Sequence, residues 1–241
     1  MPQERKNKVL KAIVEIFIKT ASPVGSSVLK EEAHFDVSPA TLRNEMAKLE
    51  KEGFLEQSHS SGGRIPTSSG YRFFVEDLNI QKKFQEKVQA EFVTETQKYF
   101  SEKTADEKVY DMLSILTKMT PNIVFSTVPS SEKTFFLGIS QTLMLPEFSG
   151  SPEQTSGIFR VLEEDFYTLL HTLKIGDSVE IFIGKENIFP EMASCSLLVS
   201  ELGGAKTLET KQFFGILGPM RMDYARNVTA IQEAKKLHES L

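Results

Sequence analysis

Val37-Ser38-Pro39-Ala40-Thr41-Leu42-Arg43-Asn44-Glu45-Met46-Ala47-Lys48-Leu49 decides how the first part of this chain is read. Ser38 offers a hydroxyl cap and Pro39 follows where its missing N–H costs nothing, so a helix begins there. Leu42, Met46 and Leu49 recur at i, i+4 and i+7 as a buried seam, and Gly53 stops the helix. Thr41, Asn44 and Lys48 point away from that seam, with Arg43 on its flank. A helix whose apolar side is committed to a core and whose other side is small, polar and basic suits a major groove.

Upstream, Glu4 to Thr20 carries Val9, Leu10, Ile13, Val14, Phe17 and Ile18 at helical spacing. Pro23 and Gly25 end that helix, and Ser26 or Ser27 can cap a short second one through Glu32. Downstream, Phe54-Leu55-Glu56-Gln57 and Arg64-Ile65-Pro66 read as two short strands around Ser58-His59-Ser60-Ser61-Gly62-Gly63, which makes a wing. Gly70 to Leu78 begins a further helix. Residues 1–79 are therefore expected to form a winged helix-turn-helix DNA-binding domain.

Its expected contacts are Ser38, Thr41, Arg43, Asn44 and Lys48 on the helix, Arg64 in the wing and Arg72 beyond it. Arginine presents two donors to guanine and asparagine grips adenine. Arg64 can reach a phosphate or enter a minor groove, and Arg72 can touch a phosphate. The competing reading is an ordinary solvated helix face, with Arg43 in a surface ion pair to Glu45 or Glu50 and Arg64 merely hydrated.

The 241 residues carry a net charge of −5 and 40% hydrophobic side chains, enough for packed cores. Residues 1–80 hold as many Lys and Arg as Asp and Glu, so the acidic excess lies wholly in the remainder. DNA binding would then depend on a few placed contacts, doubled in a homodimer, and not on a broad basic field. A single cysteine, Cys195, excludes an intramolecular disulfide and a multi-cysteine zinc site, and the four histidines lack ligand spacing. No metal or cofactor is expected. Cys195 with His171 as nucleophile and base is a weaker reading than packing, so no enzyme is expected. Apolar runs such as Ile181-Phe182-Ile183 are too short for a bilayer, and Lys8, Lys11 and Glu15 interrupt any signal-type stretch. These features point to a cytoplasmic protein without a membrane partner.

Residues 80–120 read as a helical linker. Its first seam, Ile80, Phe84 and Val88, either pairs with a partner or docks on its own chain. A second helix with Val109, Met112, Leu113 and Leu116 closes at Pro121. Beyond it, residues 121–241 alternate strands (123–128, 135–139, 179–183, 195–200, 212–217) with helices (from Ser151 to near Gly176, and 223–237). Gly203-Gly204 marks a turn. The expected class is α+β, with a second α+β domain.

Several runs resemble the HrcA family of bacterial heat-inducible transcription repressors. They are Pro23-Val24-Gly25-Ser26, Val37 to Met46, Leu49 to Leu55, Gly63 to Thr67 and Gly70-Tyr71-Arg72. A second set comprises Ile183-Gly184-Lys185-Glu186-Asn187, Cys195-Ser196-Leu197 and Gly215 to Ala225, with Leu145-Pro146-Glu147-Phe148-Ser149 a weaker third. The resemblance implies a GAF-like C-terminal domain and a repressor of chaperone operons, of the grpE-dnaK-dnaJ and groES-groEL type. It also implies a double-stranded inverted-repeat operator, release on heat stress, and a chaperonin partner that helps maintain the active fold. The segment between the linker helix and Leu145 is shorter here than in the family. The Gly184–Asn187 and Gly218–Tyr224 runs either line a small-molecule pocket, as in a metabolite-sensing regulator, or serve as strand ends. In the latter case a buried Arg221–Asp223 or Glu186–Arg221 pair would join sheet to helix.

Overall fold

The computed structural model describes residues 2–58, 62–78, 82–96, 105–176, 178–202 and 211–239. The wing tip at His59-Ser60-Ser61, Ile80 and the Gly203-Gly204 turn lie outside them. The chain divides into two compact units, Met1–Asn79 and Ile80–Leu241.

In the first unit, α1 (Pro2–Thr20), α2 (Ser26–Glu32) and α3 (Pro39–Lys51) precede an antiparallel pair, β1 (Leu55–Gln57) and β2 (Arg64–Pro66), and then α4 (Ser68–Glu76). Val9, Leu10, Ile13 and Val14 of α1 are buried with Leu29, Leu42, Leu49, Leu55 and Tyr71. Burying each such aliphatic side chain contributes about 1.5–3 kcal/mol. Ser38 caps α3, its Oγ accepting the Thr41 N–H at 3.1 Å. The cap of α2 is Gly25, without a side-chain bond, so neither Ser26 nor Ser27 fills the capping role expected of it. Ion pairs brace the unit: Arg5 to Glu45 at 3.0 Å, Lys6 to Glu52 at 2.6 Å, and Lys11 to Asp77.

The segment between α1 and α2 joins the hairpin. Val24 N–H donates to the Arg64 carbonyl at 2.9 Å and Arg64 N–H to the Val24 carbonyl at 3.0 Å. The approach is close enough that a Cβ at Gly63 would stand 2.8 Å from the Pro23 Cβ and 2.9 Å from its carbonyl carbon. Only glycine fits there without moving the backbone.

In the second unit the antiparallel strands β3 (Ile123–Val128), β4 (Lys133–Leu137), β5 (Glu180–Ile183), β6 (Cys195–Leu202) and β7 (Gln212–Pro219) form one sheet in the order β4-β3-β7-β6-β5. The middle strands are buried on both faces. Phe125, Leu197, Phe213 and Leu217 join a core with Phe148, Ile158, Leu162, Phe166 and Leu170, from α8 (Pro146–Ser149), α9 (Pro152–Glu164) and α10 (Phe166–Thr172). Val124, Leu198, Phe214 and Ile216 alternate to the other face, where α6 (Ala105–Met119) and α11 (Tyr224–Glu239) pack. The short helices α7 (Ile139–Leu143) and α8 follow the β4 strand. The single helix expected from Ser151 to near Gly176 is broken at Asp165 into α9 and α10.

Most of the stretch read as an 80–120 linker is held inside this unit. α5 (Lys82–Thr96) buries Val88 and Phe92 and packs on α6 and α11. Gln89 donates to Glu233 at 2.9 Å, and Arg226 of α11 donates to the Met119 carbonyl at 2.7 Å and pairs with Glu91. The seam that left docking or pairing open is thus an internal dock at Val88 and Phe92.

Candidate nucleic-acid interface

α3 presents two faces. Leu42, Glu45, Met46 and Leu49 are buried, whereas Arg43, Asn44 and Lys48 are exposed, with Thr41 half-buried at the margin and Ser38 exposed at the cap. The Thr41 hydroxyl lies 3.0 Å from the Ser38 Oγ, so the two polar groups at the start of the helix hold each other. Lys48 leans on Glu45 at 3.5 Å, and the Glu45 carboxylate also accepts from Arg5. Burial raises the pKa of the Glu45 carboxyl, but the Arg5 hydrogen bond and the Lys48 and Arg5 charges outweigh it and hold the group below its ordinary value.

The hairpin stands beside this face. Arg64 is committed more than expected: its Nε donates to Glu50 Oε2 at 2.7 Å and its Nη1 to the Gly62 carbonyl at 3.0 Å, and its side chain is 15% exposed. Sequence reasoning weighed Glu50 as a partner for Arg43; the structure gives it to Arg64. That exchange fastens the hairpin to the carboxyl end of α3. Arg72 lies half-buried on α4.

Between the start of α2, the exposed flank of α3 and the hairpin lies a cleft of about 370 Å³. Ser26, Ser27, Arg43, Gln57 and Arg64 are among its walls. Sequence reasoning took Ser26 and Ser27 only as possible caps of the second helix and Gln57 only as part of a wing strand; only a tertiary fold brings the hairpin to the start of α2.

The second unit's distinctive runs are occupied with their own loops. The Asn187 Nδ2 donates to the carbonyls of Gly184, Met192 and Cys195 at 2.9, 3.2 and 3.0 Å, closing the turn after β5. The Tyr224 hydroxyl donates to the Met220 carbonyl at 2.7 Å and lies 2.8 Å from the Ser196 Oγ. Arg221 pairs with Glu147 of α8, Glu186 accepts the Ile183 N–H, and Asp223 accepts the Arg226 N–H at the start of α11. Glu147 is a partner that neither of the expected pairings named. Gly218 lies so close to buried Asn122 that its side-chain oxygen fills the place a Cβ would take.

Cys195 is fully buried, and burial pushes its thiol up to about 12. His171 lies between Tyr167 and Phe213 at ring distances of 4.3 and 5.1 Å, with Nδ1 on the Tyr167 carbonyl, and no hydrogen bond joins it to Cys195. Among the described residues no group of three or more His, Cys, Asp or Glu could hold a metal, and no helix is long and apolar enough to cross a membrane.

Fold and site together define a two-unit protein of mixed helix and sheet, with a polar helix face open beside a two-stranded hairpin. The chain belongs to the HrcA family: the model of the HrcA protein C terminal domain matches residues 76–228. Heat-inducible transcription repressor HrcA of Natranaerobius thermophilus is 62% identical over 74 residues, covering 31% of this chain and 22% of that one. HrcA of Desulforamulus reducens is 27% identical over 328 aligned positions, covering 95% of this chain and 93% of its own. That alignment is longer than the 241-residue chain, so the relative carries stretches without a counterpart here. The chain spans under two-fifths of the length of the first curated relatives it matches. A solved structure described as a hypothetical protein shares the fold at a TM-score of 0.76 and 16% identity, covering 98% of this chain and 96% of that one.

Proposed function

We propose that this chain is a cytoplasmic DNA-binding repressor of heat-shock chaperone genes. On this reading Met1–Asn79 is a winged helix-turn-helix, α3 is its recognition helix, and the β1–β2 hairpin is its wing. Thr41, Arg43, Asn44 and Lys48 meet the duplex, Ser38 holds the start of the helix, and Arg64 and Arg72 serve the flanking phosphates. The second unit is a GAF-like domain that supports a homodimer, because an inverted-repeat operator needs two modules related by a two-fold axis. A chaperonin acts on it to maintain active repressor until heat-damaged proteins compete.

The observation that carries the reading is the division of α3 into a side buried in its unit and a side with Arg43, Asn44 and Lys48 exposed beside the hairpin. Relatives named as heat-inducible transcription repressors support the regulated genes as a proposal. A mobility-shift titration with an inverted-repeat duplex from upstream of a chaperone operon is expected to show tighter binding than a scrambled duplex. Equal binding of the two at every salt concentration would refute the reading.

A further inference from the structure

One edge of the second unit's sheet is bare and apolar. β4 ends the strand order and bonds only to β3. Among the described residues, no backbone hydrogen bond reaches the outer side of Lys133–Leu137. An edge strand is a template for another strand unless charge, proline or a covering segment blunts it. β4 carries one charge, Lys133 at its first position, followed by Thr134-Phe135-Phe136-Leu137. Phe136 turns into the core, its ring 6.5 Å from Phe125 and 5.4 Å from Phe166. Successive side chains alternate, so Phe135 projects to the opposite face, the side on which α6 packs, and it is 62% exposed. Tyr110 of α6 is 58% exposed, and the chain leaving β4 ends α7 on exposed Leu143 and Met144. The other edge strand, β5, differs: its side chains are half-buried or buried.

We propose that β4 pairs with β4 of a second copy of this chain, antiparallel about a two-fold axis through Phe135, so that two five-stranded sheets become continuous. The inference rests on the DNA-binding reading above, which asks for a two-fold dimer, and gives that dimer its surface. An antiparallel edge is its own complement. The axis sets Phe135 against its own copy, Thr134 against Phe136 and Lys133 against Leu137. Like charges never meet, because the two lysines fall at opposite ends of the pair. The facing aromatic rings leave water together and add a cross-strand contact. Pairing β4 with the β5 edge of the next copy would be head-to-tail, a contact that leaves edges free for further copies instead of closing at two.

Sedimentation velocity of the full chain without DNA is expected to show a dimer. Phe135→Asp should weaken it at least tenfold while keeping the far-UV circular dichroism of wild type. On an inverted-repeat duplex that variant should fill the two half-sites independently, losing cooperativity but not the affinity for one half-site. Phe135→Cys reads the geometry directly. Residues facing each other on the axis have Cα atoms about 4.5–5.5 Å apart, within disulfide reach. The native Cys195 is buried and does not compete. Oxidation should link most of the Phe135→Cys chains into covalent dimers and little of Ile188→Cys, a comparably exposed position beyond β5. A wild-type monomer at every concentration would overturn the surface, as would a dimer that Phe135→Asp leaves intact and Phe135→Cys leaves unlinked. A dimer linked at Phe135 that does not prefer the inverted repeat would leave the surface standing and count against the functional reading.

Discussion

Arg221 grips Glu147 across 74 residues of chain, with Nε 2.5 Å from one carboxylate oxygen and Nη2 3.2 Å from the other. The two side chains are 13% and 29% exposed, so the pair is mostly withdrawn from water. It ties the turn after β7 to the short helix α8. Arg221→Lys keeps the charge but loses the fork, and Glu147→Gln loses the charge. Each is expected to cost about 1–2 kcal/mol and lower the melting temperature by roughly 2–6 °C. The double variant should fall well short of the sum, as calorimetry would show.

Glu45 makes the first unit sensitive to acid. A carboxyl held below its ordinary value contributes stability that is fully present above about 4.5 and is lost as pH falls through the lowered value. Glu45→Gln is therefore expected to melt below wild type at neutral pH, with the gap closing on acidification below about 4.5. A gap that stays constant across that range would show that packing, not the carboxylate, sets the difference.

Base reading and posture should separate on α3 and the hairpin. Asn44→Ala is expected to relax preference at one position per half-site, reducing discrimination by about 1–3 kcal/mol. Arg64→Ala should weaken all duplexes roughly alike. Because Glu50 holds Arg64, Glu50→Ala is expected to reproduce much of that loss even though it removes a negative charge. Tighter binding by Glu50→Ala would mean that Arg64 acts best when released.

Cys195 should be inert in the folded protein. With its thiol pushed to about 12, the thiolate is a very minor species at neutral pH, and the side chain is fully buried. Alkylation is expected to follow global unfolding, accelerating through the urea transition. Rapid modification in native buffer would contradict the packing described for β6.

What sequence showed and what it hid follows the range of the interactions. The start of α3 was legible because its determinants, Ser38 and Pro39, are adjacent to the helix they begin. Strands β3, β6 and β7 were legible because they are apolar on both faces and bounded by turn residues. Short α7 and α8 carried no periodicity, being about one turn each. The seam of α5 was visible, but not that α11 would cover it, since Gln89 and Glu233 are separated by 144 positions. Within the interface, the exposed face of α3 followed from spacing alone. The Glu50–Arg64 exchange did not, because the hairpin's docking angle decides which arginine reaches that carboxylate.

The paired backbone bonds between Val24 and Arg64 make the segment leading into α2 and the hairpin a single mechanical piece. A hairpin hinged only at its own turn would sample many tilts, and each would be ordered separately on meeting a partner. Coupled as it is to the chain ahead of α2, it moves only by dragging that helix along. The two edges of this surface are therefore expected to engage together, so that partial docking has few stable forms and release is abrupt.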